Sequence, residues 1–212
     1  MRDQDKQHRL SGPDAPATAE LIRIFARHGF TSSEEPLDVA DASTVAVTAL
    51  GGALASEDIV LACQARTQRC FFIRRNETGE ASGFIALLFL NARGFEALMY
   101  GRLSPDQPEL DLLTAPDERA SAIYVWCLAG VSEADKRAVV RAVTEARRKA
   151  FPHVALFARP MSREGRMMTA ALDAPSAAQP GWGGCPRLRT PAKPRVWRGL
   201  WTEHALRNLN RL

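Results

Sequence analysis

The sequence predicts a mixed α/β fold, an α+β arrangement in which one central sheet joins an antiparallel hairpin to a parallel β-α-β-α unit, with helices on both faces. Three stretches carry that expectation. Cys70–Arg75 and Ser82–Leu90 are apolar runs around the polar turn Asn76-Glu77-Thr78-Gly79-Glu80, the pattern of a β-hairpin. Ala122–Ala129 is a third apolar run, and from Ser132 onward Val139, Val140, Val143 and Ala146 recur at helical spacing. His153–Ala158 then reads as a strand. A helix between two strands of one sheet makes a right-handed crossover, so those two strands are expected to be parallel.

Taken in order, residues 1–16 are polar and charged, carry Gly12, Pro13 and Pro16, and read as a disordered tail. Leu21, Ile22, Phe25 and Ala26 start a helix that Gly29 can stop, and a loop is expected through Pro36. Thr44–Leu54 is small and apolar, and its Gly51-Gly52 pair leaves helix and strand both open. Ser56-Glu57-Asp58 opens a helix through Ile59, Leu61, Ala62 and Ala65, with acidic groups at the positive end of its dipole. The apolar length of Ser82–Leu90 requires burial on both faces. A short helix near Phe95–Leu103 and an irregular, proline-rich connection follow. Ser132-Glu133-Ala134-Asp135 opens the long helix and Pro152 closes it. Beyond the strand at 153–158, Ser162–Leu172 is expected to be a helix and Arg195–Trp201 an edge strand. Residues 17–201 are read as one domain and 202–212 as a C-terminal tail.

A chain of 212 residues with 46% hydrophobic and 25% charged residues has the make-up of an ordinary globular domain. The polar first ten residues lack the apolar core of a secretory signal, and no apolar run is long enough for a membrane span, so the expected compartment is the cytoplasm. Cys63, Cys70, Cys127 and Cys185 lie far apart without paired histidines, which does not make a zinc site; the first three sit in apolar stretches and read as core residues. Charge is uneven. From Pro175 onward seven basic residues face Glu203 alone, a balance of +6 that leaves −2 for the rest of a chain whose total is +4. The basic end suits an anionic partner. There Trp182, Trp197 and Trp201 interleave with Arg187, Arg189, Arg195 and Arg198, a pattern that fits stacking on single-stranded nucleic acid, although inward tryptophans with snorkelling arginines explain it more simply.

The order of hairpin, apolar strand, helix, strand and helix over residues 70–172, with the turn Phe157-Ala158-Arg159-Pro160-Met161-Ser162-Arg163-Glu164-Gly165, resembles the body of the GNAT superfamily of N-acyltransferases. The resemblance covers roughly residues 40–201. It implies a fourth and a fifth strand that splay apart, an acyl-CoA pantetheine in the gap, and a pyrophosphate at the N-terminus of the helix that follows the fourth strand. On this chain it assigns Cys127, Leu128, Ala129, Gly130, Val131, Ser132, Lys136, Arg137 and Arg159 to the binding of acyl-CoA, acetyl-CoA being the simplest, and implies no metal. The family's loop is arginine or glutamine, two residues, glycine, one residue, then glycine or alanine. Ala129-Gly130-Val131-Ser132-Glu133-Ala134-Asp135-Lys136-Arg137 departs from it and puts Glu133 and Asp135 near the pyrophosphate, with Lys136 and Arg137 as counter-charges.

The implied reaction transfers an acyl group from acyl-CoA to an amine, which needs a base and an acid. The family's acid is commonly a tyrosine in the helix after the fifth strand, where this chain has none. Ser162 is the nearest hydroxyl there, and Tyr124 lies on the strand where the family often places a base or a proton relay; both have plainer readings, a helix N-cap and a core tyrosine. Glu96 and Asp111 are weaker candidates for the base, and His153 and His204 are isolated. The alternative is a non-catalytic GNAT-like module that engages a protein or nucleic acid through the basic C-terminal region. A third reading is an acyltransferase whose donor is an acidic acyl carrier protein. The amine acceptor, acyl length and oligomeric state are not readable from the sequence.

Overall fold

A computed structural model describes residues 15–51, 55–116 and 118–159. Their elements are α1 (Ala15–Arg27), β1 (Phe30–Ser32), α2 (Pro36–Leu50), α3 (Glu57–Thr67), β2 (Phe71–Arg75), β3 (Ala81–Leu90), α4 (Ala92–Met99), a 3-10 turn (Leu110–Leu112), β4 (Ala122–Gly130), α5 (Glu133–Lys149) and β5 (Ala155–Ala158). The strands form one mixed sheet in chain order, antiparallel except for the parallel pair β4–β5. The expected fold class holds.

Alternation along β3 shows how the layers form. Ile85, Leu87 and Phe89 face α1 and α5, whose Leu21, Phe25, Val139 and Val143 complete one core. Phe84 and Ala86 face α2 and α3. Leu88 and Leu90 point to the same side as these, under α3, α4 and the 3-10 turn. Ser82 through Leu90 are all buried, as expected for a strand covered on both faces.

Several expectations need correction. The expected loop before Pro36 contains β1, whose Phe30, Thr31 and Ser32 pair with Arg74, Ile73 and Phe72. Pro36 does not end that loop; it opens α2, where a proline's missing N–H does no harm. Gly51 marks the helix stop, because it takes the left-handed conformation (φ 70°) and its N–H bonds to Val47 C=O. Residues 15 and 16 belong to α1 rather than to a tail. The helix expected at Phe95–Leu103 lies at Ala92–Met99, capped by the Asn91 side chain accepting from Gly94 N–H. α5 ends at Lys149, three residues ahead of Pro152, and β5 starts at Ala155 rather than at His153. Residues 1–14, the helix at Ser162–Leu172 and the strand at Arg195–Trp201 lie outside the described residues.

Two buried polar side chains tie elements together. Gln64 of α3 accepts the backbone N–H groups of Cys70 and Phe71 and donates to Ser32 Oγ, joining β1 and β2. Arg69, with no exposed surface, donates to Thr18 Oγ1 of α1 (2.7 Å), Thr114 Oγ1 (3.0 Å) and Glu118 C=O (2.8 Å). Its guanidinium lies 4.6 Å over the Phe89 ring. Cys63 and Cys70 are buried in the core beneath α3, as expected.

Candidate functional site

β4 has two unlike halves. Ala122, Ile123, Tyr124 and Val125 pair with Ala155, Leu156, Phe157 and Ala158 of β5. There the parallel ladder stops, while β4 continues to Gly130, held by β3 alone among the described residues. The change coincides with a β-bulge. Leu87 pairs with Val125 and Ala86 with Cys127, so Trp126 has no opposite residue. A bulge bends its strand and re-aims side chains, and here Trp126 and Cys127 both pack on the α2–α3 side while Leu128 returns to the α1–α5 side. Residues Val125 through Leu128 are only half-buried, unlike either end of the strand.

Past the end of β4, α5 begins under tight constraint. A Cβ on Gly130 would lie 2.6 Å from Lys136 N and 2.9 Å from Asp135 Cβ, so only glycine allows the strand end and the helix start to approach this closely. Ser132 and Asp135 form a capping box. Asp135 N–H donates to Ser132 Oγ (3.1 Å), and Ser132 N–H and Oγ–H both donate to Asp135 Oδ2 (3.2 and 2.5 Å). Ser82 Oγ of β3 donates to the other oxygen at 3.0 Å, and the Arg74 guanidinium of β2 lies 3.5 Å from it. Burial pushes the Asp135 carboxyl up, but the bonds from Ser132 and Ser82 and the charge of Arg74 outweigh it and hold it below its ordinary value. Val131 N–H donates to Ser82 C=O (2.9 Å) and Lys136 N–H to Ser132 C=O (2.9 Å). Lys136 itself pairs with Glu133 at 2.7 Å.

No protein-family model, curated protein or solved structure matches this chain.

Of the residues expected to contact a cofactor, Cys127, Leu128, Ala129, Gly130, Val131 and Ser132 form a continuous path along the open half of β4 and into α5, and Lys136 and Arg137 follow on the first turns of that helix. Arg159 stands one residue past β5, beside Tyr124, and its Nε is buried without a hydrogen-bond partner among the described residues. Tyr124 is 4% exposed and packed beneath α3 and α4 with Leu88 and Leu112. Burial raises its phenol; Arg159 opposes this and Asp106 adds to it. Burial also pushes the Cys127 thiol up to about 12, so it stays protonated and is a poor nucleophile at neutral pH. Ser162 lies outside the described residues. Glu96 and Asp111 are exposed and pair with Arg102 and Arg93.

Sequence reading missed Trp126 as the bulged residue and Ser82 and Arg74 as partners of Asp135. The last two had a signal: Ser82 is the one hydroxyl in an otherwise apolar strand, and Arg74 directly follows an apolar run. Elsewhere, an apolar cleft lies between α1, α5 and β5, lined by Leu21, Leu87, Ile123, Val143, Phe151 and Leu156, beside the closed half of β4. Among the described residues no group of three or more His, Cys, Asp or Glu could hold a metal ion, and no helix is long and apolar enough to cross a membrane.

Proposed function

We propose that this protein is a GNAT-like N-acyltransferase that moves an acyl group from a thioester of the acyl-CoA class to an amine. One observation supports the reading: the described pairing of β5 with β4 reaches Val125, while β4 runs on to Gly130 with β3 as its one strand neighbour among the described residues. An extended thioester arm laid against Trp126–Gly130 would find strand backbone on one side and half-buried apolar side chains along its length. Strand backbone holds peptide-like amides by its main-chain N–H and C=O groups.

In the transfer, the amine nitrogen attacks the thioester carbonyl, the C–N bond forms, the C–S bond breaks, the nitrogen gives up a proton and the sulfur receives one. The candidate for proton transfer in this scheme is Tyr124, a phenol that is protonated at neutral pH. Strand N–H groups around Cys127–Ala129 would polarise the carbonyl. The expectation of a cytoplasmic enzyme belongs to the same proposal.

The test is calorimetry and acyl-transfer assays with a series of acyl thioesters and a panel of amines. Micromolar binding of a thioester and product formation are expected, with Tyr124→Phe lowering kcat about a hundredfold while leaving the thioester Kd unchanged. Absence of heat with every thioester would end the reading. The α5 start, already filled by Asp135, favours the alternative of a non-catalytic module, and salt-dependent binding of short DNA or RNA through the basic C-terminal region would then establish it.

A further inference from the structure

Coenzyme A presents two chemistries to a protein, a neutral pantetheine arm and, beyond it, a diphosphate with a further ribose phosphate. The open half of β4 suits the first. The start of α5 does not suit the second. A diphosphate at a helix N-terminus is held by several converging backbone N–H groups. Across residues 131–136 those groups are largely committed inside the fold: Val131 to Ser82 C=O, Ser132 to the Asp135 carboxylate, Asp135 to Ser132 Oγ, and Lys136 to Ser132 C=O. Only Glu133 and Ala134 of that run stand outside this set. The position an anion would take carries a carboxylate of the chain's own, 8% exposed and held from three residues, Ser132, Ser82 and Arg74.

Room is short as well. Gly130 lies so close to Asp135 and Lys136 that even a methyl group would meet backbone atoms at 2.6 and 2.8 Å. Two nearby cations are already engaged, Lys136 with Glu133 and Arg74 with Asp135. A carboxylate in a capping box also stabilises the helix it caps, so displacing it would weaken α5.

We infer that the acyl donor of this protein is a pantetheine thioester without the nucleotide diphosphate of coenzyme A. The inference rests on the transferase reading above and narrows its substrate class. Two sources supply that chemistry, a free acyl-pantetheine and the pantetheine arm of a carrier protein, where a single phosphodiester replaces the diphosphate.

The experiment titrates the full chain, and separately its Asp135→Asn variant, with acetyl-CoA, S-acetyl-pantetheine and an acetylated acyl carrier protein. For the natural chain, acetyl-pantetheine is expected to bind at least as tightly as acetyl-CoA. Asparagine at 135 keeps the acceptor oxygen for Ser132 but removes the charge, and should tighten acetyl-CoA about five- to tenfold while leaving acetyl-pantetheine unchanged. Circular dichroism establishes that the variant remains folded, and Glu133→Gln, an exposed substitution outside the capping box, provides a second and smaller gain for acetyl-CoA. Tighter binding of the carrier protein than of free acetyl-pantetheine would assign the donor to the carrier, and equal binding to the small thioester. A natural chain that prefers acetyl-CoA tenfold over acetyl-pantetheine overturns the inference and leaves the transferase standing. Failure of all three ligands overturns both.

Discussion

The two halves of β4 are made from similar residues and do different work. Ala122–Val125 has a strand on each side, and its Ala122, Ile123 and Tyr124 are buried. Trp126–Gly130 has β3 as its one strand neighbour among the described residues, and its Trp126, Cys127 and Leu128 are half-buried while Ala129 and Gly130 are buried. A single extra residue separates them. Composition would not distinguish the halves, since Ile-Tyr-Val and Trp-Cys-Leu are equally apolar. The register shift at Trp126 falls between them: it leaves one residue of β4 without an opposite on β3 and re-aims the side chains that follow.

The strongest way to break this comparison is to remove side-chain volume from each half. Ile123→Ala empties a site that is 3% exposed and should cost about 3 kcal/mol in chemical denaturation. Leu128→Ala, on the same face but half-buried, should cost about 1 kcal/mol. Equal losses would mean that the open half is as much core as the closed one. Next in size is Gly130→Ala, where the added methyl meets the α5 backbone. A loss of about 2 kcal/mol is expected, together with weaker thioester binding as the helix start is pushed from the strand. An unchanged melting temperature would show that α5 can retreat freely.

The smallest effect concerns the helices behind the closed half. Glu145 of α5 meets Lys149 and Arg27 and is hydrogen-bonded to Nε2 of His28, just past α1, at 2.8 Å. Lys149 and His28, with Arg27, outweigh burial and lower its carboxyl to about 2 from an ordinary 4.5. A carboxyl lowered by folding contributes stability above pH 4.5 that disappears as the pH falls toward 2. Glu145→Gln should therefore flatten the acid limb of the stability profile over that range by under about 1 kcal/mol, because the group is partly exposed and screened. A difference that persists below pH 2 would point to packing rather than charge.

Long, strongly patterned elements were legible in the sequence, and so was the capping residue of α5. The S-x-x-D spacing of Ser132 and Asp135 announces a helix start, and the structure adds only that the box is complete. Three-residue β1 was not legible, because Phe30-Thr31-Ser32 has no pattern of its own and becomes a strand by pairing with β2. α2 was obscured for a different reason: its Val39, Ala42, Val45 and Ala46 are buried, but Leu37, Val47 and Leu50 on its exposed side blur the apolar stripe. For the candidate site, the path Cys127–Ser132 came from the family resemblance, whereas the bulge at Trp126 had no signal in the sequence. Which residue is left over between two strands depends on where each one is anchored, and that is information held by the pair.

The lodging of Arg69 has a consequence for how the chain must be handled. Its guanidinium sits under a helix that comes first in sequence yet touches a side chain from the middle, so α1 acts as the roof of a charged chamber. Shortening the chain past Thr18 would open that chamber to water at one corner and strip an acceptor from a cation with no exposed surface. The fold thus relies on α1, the earliest helix among the described residues, to seal what the hairpin has already built.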